Sequence, residues 1–281
     1  MSEPAILDHI VINARFGMDQ AESIFSGLGF TLTPRGRHSM GSINHLMMFT
    51  DDYLELIGID EADAAKRPEV SGAPVGLNGL VFKTDNADET FKRLEAVDMA
   101  GDPPNAFSRP LVLGNGSHHE ARFRTVTARA DAFPAGRLYF CEHLTPELLW
   151  RQEWQTHPNT VTGFSELVLV CEQPREFAQI LAKLLGLAAS GPGSETEEIE
   201  FQNGFRLTLL TQGAYSERFG KLARAAAGRQ SYFGAVGLKC ANPDAFQAAL
   251  KASADHVSEI QETNSALVAV DEFDTLIGFD L

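Results

Sequence analysis

Four times along the 281-residue chain an apolar strand pattern is followed by an amphipathic helix and then by extended stretches. A repeated β-α-β-β-β unit constrains the fold strongly, because one such unit leaves an apolar sheet face that only a neighbouring unit can cover. The first unit (5–60) opens with LDHIVIN (7–13), has a helical pattern in MDQAESIFSGLGF with Gly29 as its stop, and continues through FTLTPR, NHLMMFT and YLELIGI. The second (76–146) has a strand at 76–84, a helix at 88–97, and extended stretches at Arg109–Leu113, Glu120–Ala128 and Arg137–His143. The third (163–212) has FSELVLV, the helix REFAQILAKLLGL, EEIEFQ and FRLTLLT. The fourth (232–281) has GAVGLKC, a helix at 243–253, and strands in HVSEIQE (256–262), SALVAV and TLIGFDL.

The repeat is a duplicated pair. An offset of 157 places Ala21, Ile24, Leu28 and Gly29 on Ala178, Leu181, Leu185 and Gly186, and an offset of 156 places Lys83, Asn86 and Asp88 on Lys239, Asn242 and Asp244. The chain length suits two domains of about 140 residues each, divided as 1–155 and 156–281. The segment 145–163 reads as the connection, and its Trp150 and Trp154, the only tryptophans, stand at helical spacing to dock the halves together.

Composition narrows the partners. A formal charge of −15 without a Lys/Arg cluster argues against nucleic acid and anionic membranes. No apolar run approaches the ~18 residues of a membrane span, and the N-terminus enters a strand pattern with no basic leader. Cys141, Cys171 and Cys240 are widely spaced and odd in number, as expected of free thiols in a reducing cytoplasm. The charge says little about a small-molecule partner or a homodimer.

Two apolar strands each carry one metal-capable side chain: His9 in LDHIVIN and Glu55 in YLELIGI. A carboxylate inside a buried strand costs several kcal/mol unless it is paired or binds a cation. Alternation puts Tyr53, Glu55 and Ile57 on one strand face. In YFCEHLTP (139–146), Glu142 and His143 are adjacent, so a regular strand cannot aim both inward, and Tyr139, Cys141 and His143 share a face. His38, Asn44 and His45 lie in the hairpin before YLELIGI. His118, His119 and Glu120 mark a loop-to-strand transition, and His157 a connecting turn. Neither a GxSxG elbow nor a Walker motif is present.

Paired β-α-β-β-β units with His on the first strand and a carboxylate in a YLEL-type last strand resemble the vicinal oxygen chelate superfamily, and its glyoxalase-like group in particular. GRHSMGSINHLMMFTDDYLELIGI (36–59) is similar to that group's hairpin and fourth strand, and YFCEHLTP to the fourth strand of the partner unit. The resemblance implies an α+β fold in which four βαβββ units pair into two half-open barrels. It implies a divalent metal (Zn, Ni, Mn, Mg or Fe(II)) held by two ligands from each unit.

Carried onto this sequence, the implied metal ligands are His9, Glu55 and Glu142, with His143 as the alternative to Glu142. Glu55 and Glu142 are the implied catalytic groups, and His38, Asn44 and His143 the implied substrate-binding ones. A shift of 70 puts His9 on Gly79, so one ligand is missing unless Asn78 or His143 replaces it. The same shifts put His9 on Glu166, Glu55 near Thr208, Gly79 near Ala235 and the partner carboxylate near Gly278, a degenerate second half. The implied activity is metal-dependent lyase or isomerase chemistry on a small molecule with vicinal oxygens. The alternatives are a metal-free binding protein, with Met47, Met48, Phe49 and Phe82 as apolar walls, and an Fe(II) extradiol-type dioxygenase using His9, His143 and Glu55.

Overall fold

The computed structural model describes residues 4–191, 193–251, 258–261 and 265–281. Its strands form two eight-stranded mixed sheets of identical order. In the first, β1 (Leu7–Arg15), β2 (Gly36–Arg37), β3 (Ser42–Met48), β4 (Tyr53–Ile59), β5 (Gly76–Lys83), β6 (Asn105–Val112), β7 (His118–Thr127) and β8 (Arg137–His143) run β2-β3-β4-β1-β5-β8-β7-β6. The second contains β9 (Val161–Val170), β10 (Ala189–Ser190), β11 (Thr196–Glu200), β12 (Arg206–Leu210), β13 (Tyr232–Cys240), β14 (Ser258–Gln261), β15 (Ser265–Val270) and β16 (Thr275–Asp280), in the order β10-β11-β12-β9-β13-β16-β15-β14. Within each unit the first strand pairs in parallel with the last. The two units of a half join where their first strands pair antiparallel, β1 with β5 and β9 with β13. This is the expected α+β arrangement of two half-open barrels.

Alternation divides each sheet into a helix side and a cleft side. Ile10, Ile12, Leu54, Leu56, Leu80, Phe82, Leu138 and Phe140 belong to one apolar core that continues into Phe164, Leu167, Leu169, Val236 and Leu238 of the second half. Against it pack the helices α1 (Met18–Gly27), α3 (Ala87–Ala96) and α4 (Pro174–Leu185). α1 and α4 end before Gly29 and Gly186, both at positive φ, as their matching positions in the repeat predict. The short α2 (Pro68–Ser71) lies on the cleft side, where buried Asn13 of β1 donates to Val70 O (2.9 Å) and Pro74 O (3.1 Å). Positions 252, 253, 256, 257 and 262 of the expected last helix and strand lie outside the described residues.

Three expectations change. FTLTPR is irregular chain, and only Gly36–Arg37 after it joins the ladder. Residues 146–154 form two 3₁₀ turns instead of a helix, and neither tryptophan docks the halves. Trp150 packs on Tyr53 and His143, with Lys83 Nζ 4.8 Å from its ring centre, and Trp154 is buried in the same first-half cluster. The halves meet instead through Phe82 stacked on Phe201 (5.6 Å), Phe49 against Phe164 (5.3 Å), and Phe133 against Phe177 and Phe233. His157 is a buried pin whose Nε2 donates to Met48 O (2.9 Å) while Nδ1 accepts from Thr31 N (3.0 Å). Met47, Phe49 and Phe82 are core. The cysteines are unpaired, and no helix among the described residues is long and apolar enough to cross a membrane.

Asp52 sits at this junction, with Oδ1 unpartnered beside Gly163 of β9. Burial pushes its carboxyl up to about 7, against the charges of Lys83 and Lys239. The folded state therefore holds a proton that the unfolded chain releases near pH 4, so this group's contribution is present at low pH and is lost as pH rises through 7. An Asp52→Asn variant is expected to gain stability relative to the parent between pH 4 and 7, by up to ~1.4 kcal/mol per pH unit. Urea unfolding at a series of pH values measures this, and a pH-independent difference would show that Asp52 is solvated.

Candidate active site

The sheet register fixes what faces the first cleft. His9 is opposite Val81 and Val11 opposite Gly79, so the local two-fold axis between β1 and β5 places residue 9 on 79 and 11 on 81. Glu55 is level with Val11 in the β1–β4 ladder, and Tyr139 is level with Val81 in the β5–β8 ladder. The four equivalent positions are therefore His9, Glu55, Gly79 and Tyr139. Their counterparts in the second half are Glu166, Thr208, Ala235 and Gly278.

His9 and Glu55 come together as expected, with Nε2 3.6 Å from Oε2. His9 Nδ1 lies 2.7 Å from Asp8 Oδ2, although neighbouring strand residues normally point to opposite faces. The β1–β5 register slips between Leu7 and His9, and this bulge re-aims Asp8. Asp8 is fully buried and also accepts from His143 Nε2 (2.9 Å). Burial alone would raise its carboxyl, but the charge and hydrogen bonds of His143 and His9 hold it well below the usual carboxylate range. With Nδ1–H donated to Asp8, the His9 ring turns Nε2 toward the cleft, 3.0 Å from the Tyr139 hydroxyl. Burial keeps the Tyr139 phenol protonated far above its ordinary range.

A second chain of contacts fixes Glu55. Asn44 Nδ2 donates to Glu55 Oε1 (2.7 Å), and Arg109 Nη1 donates to Asn44 Oδ1 (2.7 Å). Arg109 is only 1% exposed, so its charge is balanced through Asn44 by Glu55. His38 lies 3.3 Å from Asn44 Nδ2 and 2.8 Å from Ser42 Oγ. Burial first, with Arg109 and Arg67 adding to it against the pull of Glu55, lowers the His38 imidazole to about 4, so it is neutral at pH 7. The cleft encloses about 630 Å³. Its floor is His9, Asn44, Tyr53, Glu55 and Tyr139, and its walls include Leu46, Ile57, Phe107, Phe123 and Leu149.

The site thus gathers His9, Glu55, His38 and Asn44. Glu142 is not among them. It faces the helix side, accepting from Ala87 N at the start of α3 (3.1 Å) and from Arg124 Nη1 (3.2 Å). His143 points to Asp8 and lines a separate pocket with Lys83 and Trp150, so the set His9, His143, Glu55 is not assembled. Asn78 does not replace the missing ligand, because its Oδ1 accepts from Arg137 Nε (3.1 Å). Sequence reasoning missed Asp8, Arg109, Arg137 and Tyr139. Tyr139 could have been found by applying the shift of 70 through the strand pairing, whereas the YFCEH motif drew the alignment to Glu142.

A metal centre with two ligands from each unit does not fit this cleft. His9 and Glu55 can share an ion, but the partner unit offers glycine and a protonated phenol. A Cβ at Gly79 would lie 2.8 Å from Val11 Cγ2, so a larger residue could not enter without repacking. A different group, Asp8, Cys141 and His143, has one ligand atom from each residue within 4.8 Å of the others and could hold a divalent ion. Burial keeps the Cys141 thiol protonated well above its ordinary range, so binding there would release a proton.

The sequence model of the family described as Glyoxalase-like domain matches residues 7–185, more than half of the chain. The chain belongs to this glyoxalase-like family. No curated protein sequence matches it. Its fold is shared with several solved structures. A hypothetical protein from Staphylococcus aureus has a TM-score of 0.67 at 11% identity, covering 98% of this chain and 99% of its own. A mutant 4-hydroxymandelate synthase from Streptomyces coelicolor has 0.58 at 10% identity, covering 98% and 92%. A mutant homoprotocatechuate 2,3-dioxygenase from Brevibacterium fuscum has 0.54 at 9% identity, covering 99% and 71%. At such identities the likeness speaks for fold alone.

In this glyoxalase-like chain the second cleft is filled. α5 (Gln212–Phe219) sends Arg218 onto both oxygens of Glu166 (2.9 and 2.6 Å), and Tyr215, Phe219 and Leu222 occupy the concave face. In the first half, Gly36 makes room for the Asn44–Arg109 pair, since a Cβ there would meet Asn44 Oδ1 and would stand 2.6 Å from Arg109 Nε. Gly36→Ala is expected to cost ~1–3 kcal/mol and to loosen Glu55. Thermal unfolding together with a crystal structure of the variant checks this, and an unmoved Asn44 would disprove it.

Proposed function

We propose that the first half is a small-molecule enzyme of isomerase or lyase type, exchanging a proton at a carbon beside vicinal oxygens. The observation that carries this reading is the His9–Glu55 pair, aimed into one cleft and braced from behind by Asp8 on one side and by Asn44 and Arg109 on the other. Glu55 takes the proton from carbon. Tyr139 donates its hydroxyl hydrogen bond to the oxygen on which charge develops, and His9 Nε2 relays the proton of that oxygen. Asp8 holds the His9 ring orientation, and the walls exclude water.

Kinship with the superfamily supports a divalent ion, and the three donors Asp8, Cys141 and His143 outnumber the two in the cleft. A thiolate and an imidazole favour Zn over Mg. Elemental analysis of protein purified without chelator is expected to find metal that is lost in Cys141→Ser and kept in Glu55→Ala. The reverse pattern would move the ion to the cleft. A glycine and a phenol in two ligand positions favour, as the second reading, a protein that binds a small molecule without turnover.

Proton exchange separates the two readings. A panel of 2-hydroxy ketones and 2-hydroxy aldehydes in deuterated water, followed by NMR, is expected to show exchange beside the carbonyl. Glu55→Gln should slow it by ~10²–10⁴, with the fold retained by circular dichroism. Ligand binding without exchange in the wild type would leave only the second reading.

A further inference from the structure

We propose that the substrate is a carboxylate with an apolar body, docked by its two oxygens on Arg137. The inference rests on the cleft being the working site and names the class of molecule it takes. Three arginines line that cleft: Arg67, Arg109 and Arg137. Arg67 is paired with Glu69, and Arg109 is linked through Asn44 to Glu55.

Arg137 differs from the other two. It has no carboxylate, direct or relayed, among the described residues: its Nε donates to the neutral Asn78 amide, and its Nη2, like the Nε of Arg109, is buried with no acceptor there. A buried guanidinium N–H left without an acceptor is costly, so native structures rarely retain one that has no use. The guanidinium carbon lies 5.6 Å from the centre of the Tyr139 ring, whose hydroxyl is 3.0 Å from His9 Nε2. An anion on Arg137 is therefore one phenol ring away from the proton-exchanging pair.

Planar, bidentate geometry is what arginine offers a carboxylate. The rest of the molecule meets apolar walls, where Phe107 and Phe123 stack at 5.1 Å between centroids and Leu46, Ile57 and Leu149 complete the lining. In a chain of net charge −15, this unpaired cation is the feature of the cleft that selects an acid over its neutral analogue.

The test is equilibrium titration with phenylacetate, phenylacetamide and benzylphosphonate. Phenylacetate is expected to bind at least about tenfold more tightly than the amide, a difference of ~1.4 kcal/mol. Arg137→Gln should remove that preference, and Arg137→Lys should restore part of it. The amide comparison uses the wild type alone, so it stands even if a variant fails to fold. Equal binding of acid and amide, or an unchanged preference in folded Arg137→Gln, would overturn the inference. Benzylphosphonate binding as well as phenylacetate, or better, would also overturn it, in favour of a phosphoryl group. Proton exchange on neutral hydroxy ketones without any acid preference would sink this inference alone, whereas acid preference without exchange would sink only the enzymatic reading.

Discussion

The antiparallel pairing of β1 with β5 is the contact on which the site depends. It joins two units that could not bury their sheets alone, and its register determines which side chains share the cleft. Because His9 sits opposite Val81 and Val11 opposite Gly79, the parallel ladders on either side carry Glu55 and Tyr139 to matching depth. A slip of one residue would turn His9 to the helix side and destroy the pair. The local slip at Asp8 is what lets a carboxylate reach the ring of the residue next to it.

Buried charge is handled differently at the two ends of the cleft floor. Asp8 is tied to two imidazoles, and Glu55 is tied through an amide to a guanidinium. Both carboxylates have hydrogen-bond partners within the protein, which the high cost of isolated buried ions demands. Each arrangement also restrains a rotamer: Asp8 holds His9 from behind, and Asn44 and Arg109 hold Glu55 from within the cleft lining.

Much of the architecture was legible in the chain. The two nearly equal offsets gave the duplicated pair, and Gly29 and Gly186 turned out to end equivalent helices. His9 and Glu55 could be read because a polar residue in an apolar strand stands out. Asp8 could not, since strand alternation argues against its contact with His9 and only a bulge permits it. Glu142 misled for a related reason: motif position put it where the ladder puts Tyr139, and a single step along a strand changes the face. Arg109 lies in a strand far from Asn44 in sequence, and no local pattern links the two. The tryptophans were misjudged because helical spacing was assumed for a segment that folds as two 3₁₀ turns.

The plug formed by α5 gives the duplication an asymmetric meaning. With Arg218 and Tyr215 seated where a guest would lie, the trailing barrel has become a solid block. Its aromatic seam meets the leading barrel at Phe82 of β5 and at Phe49 in the turn between β3 and β4. The duplicated pair thus presents one open chamber and one anvil, so the proposed binding is expected to take a single guest per chain.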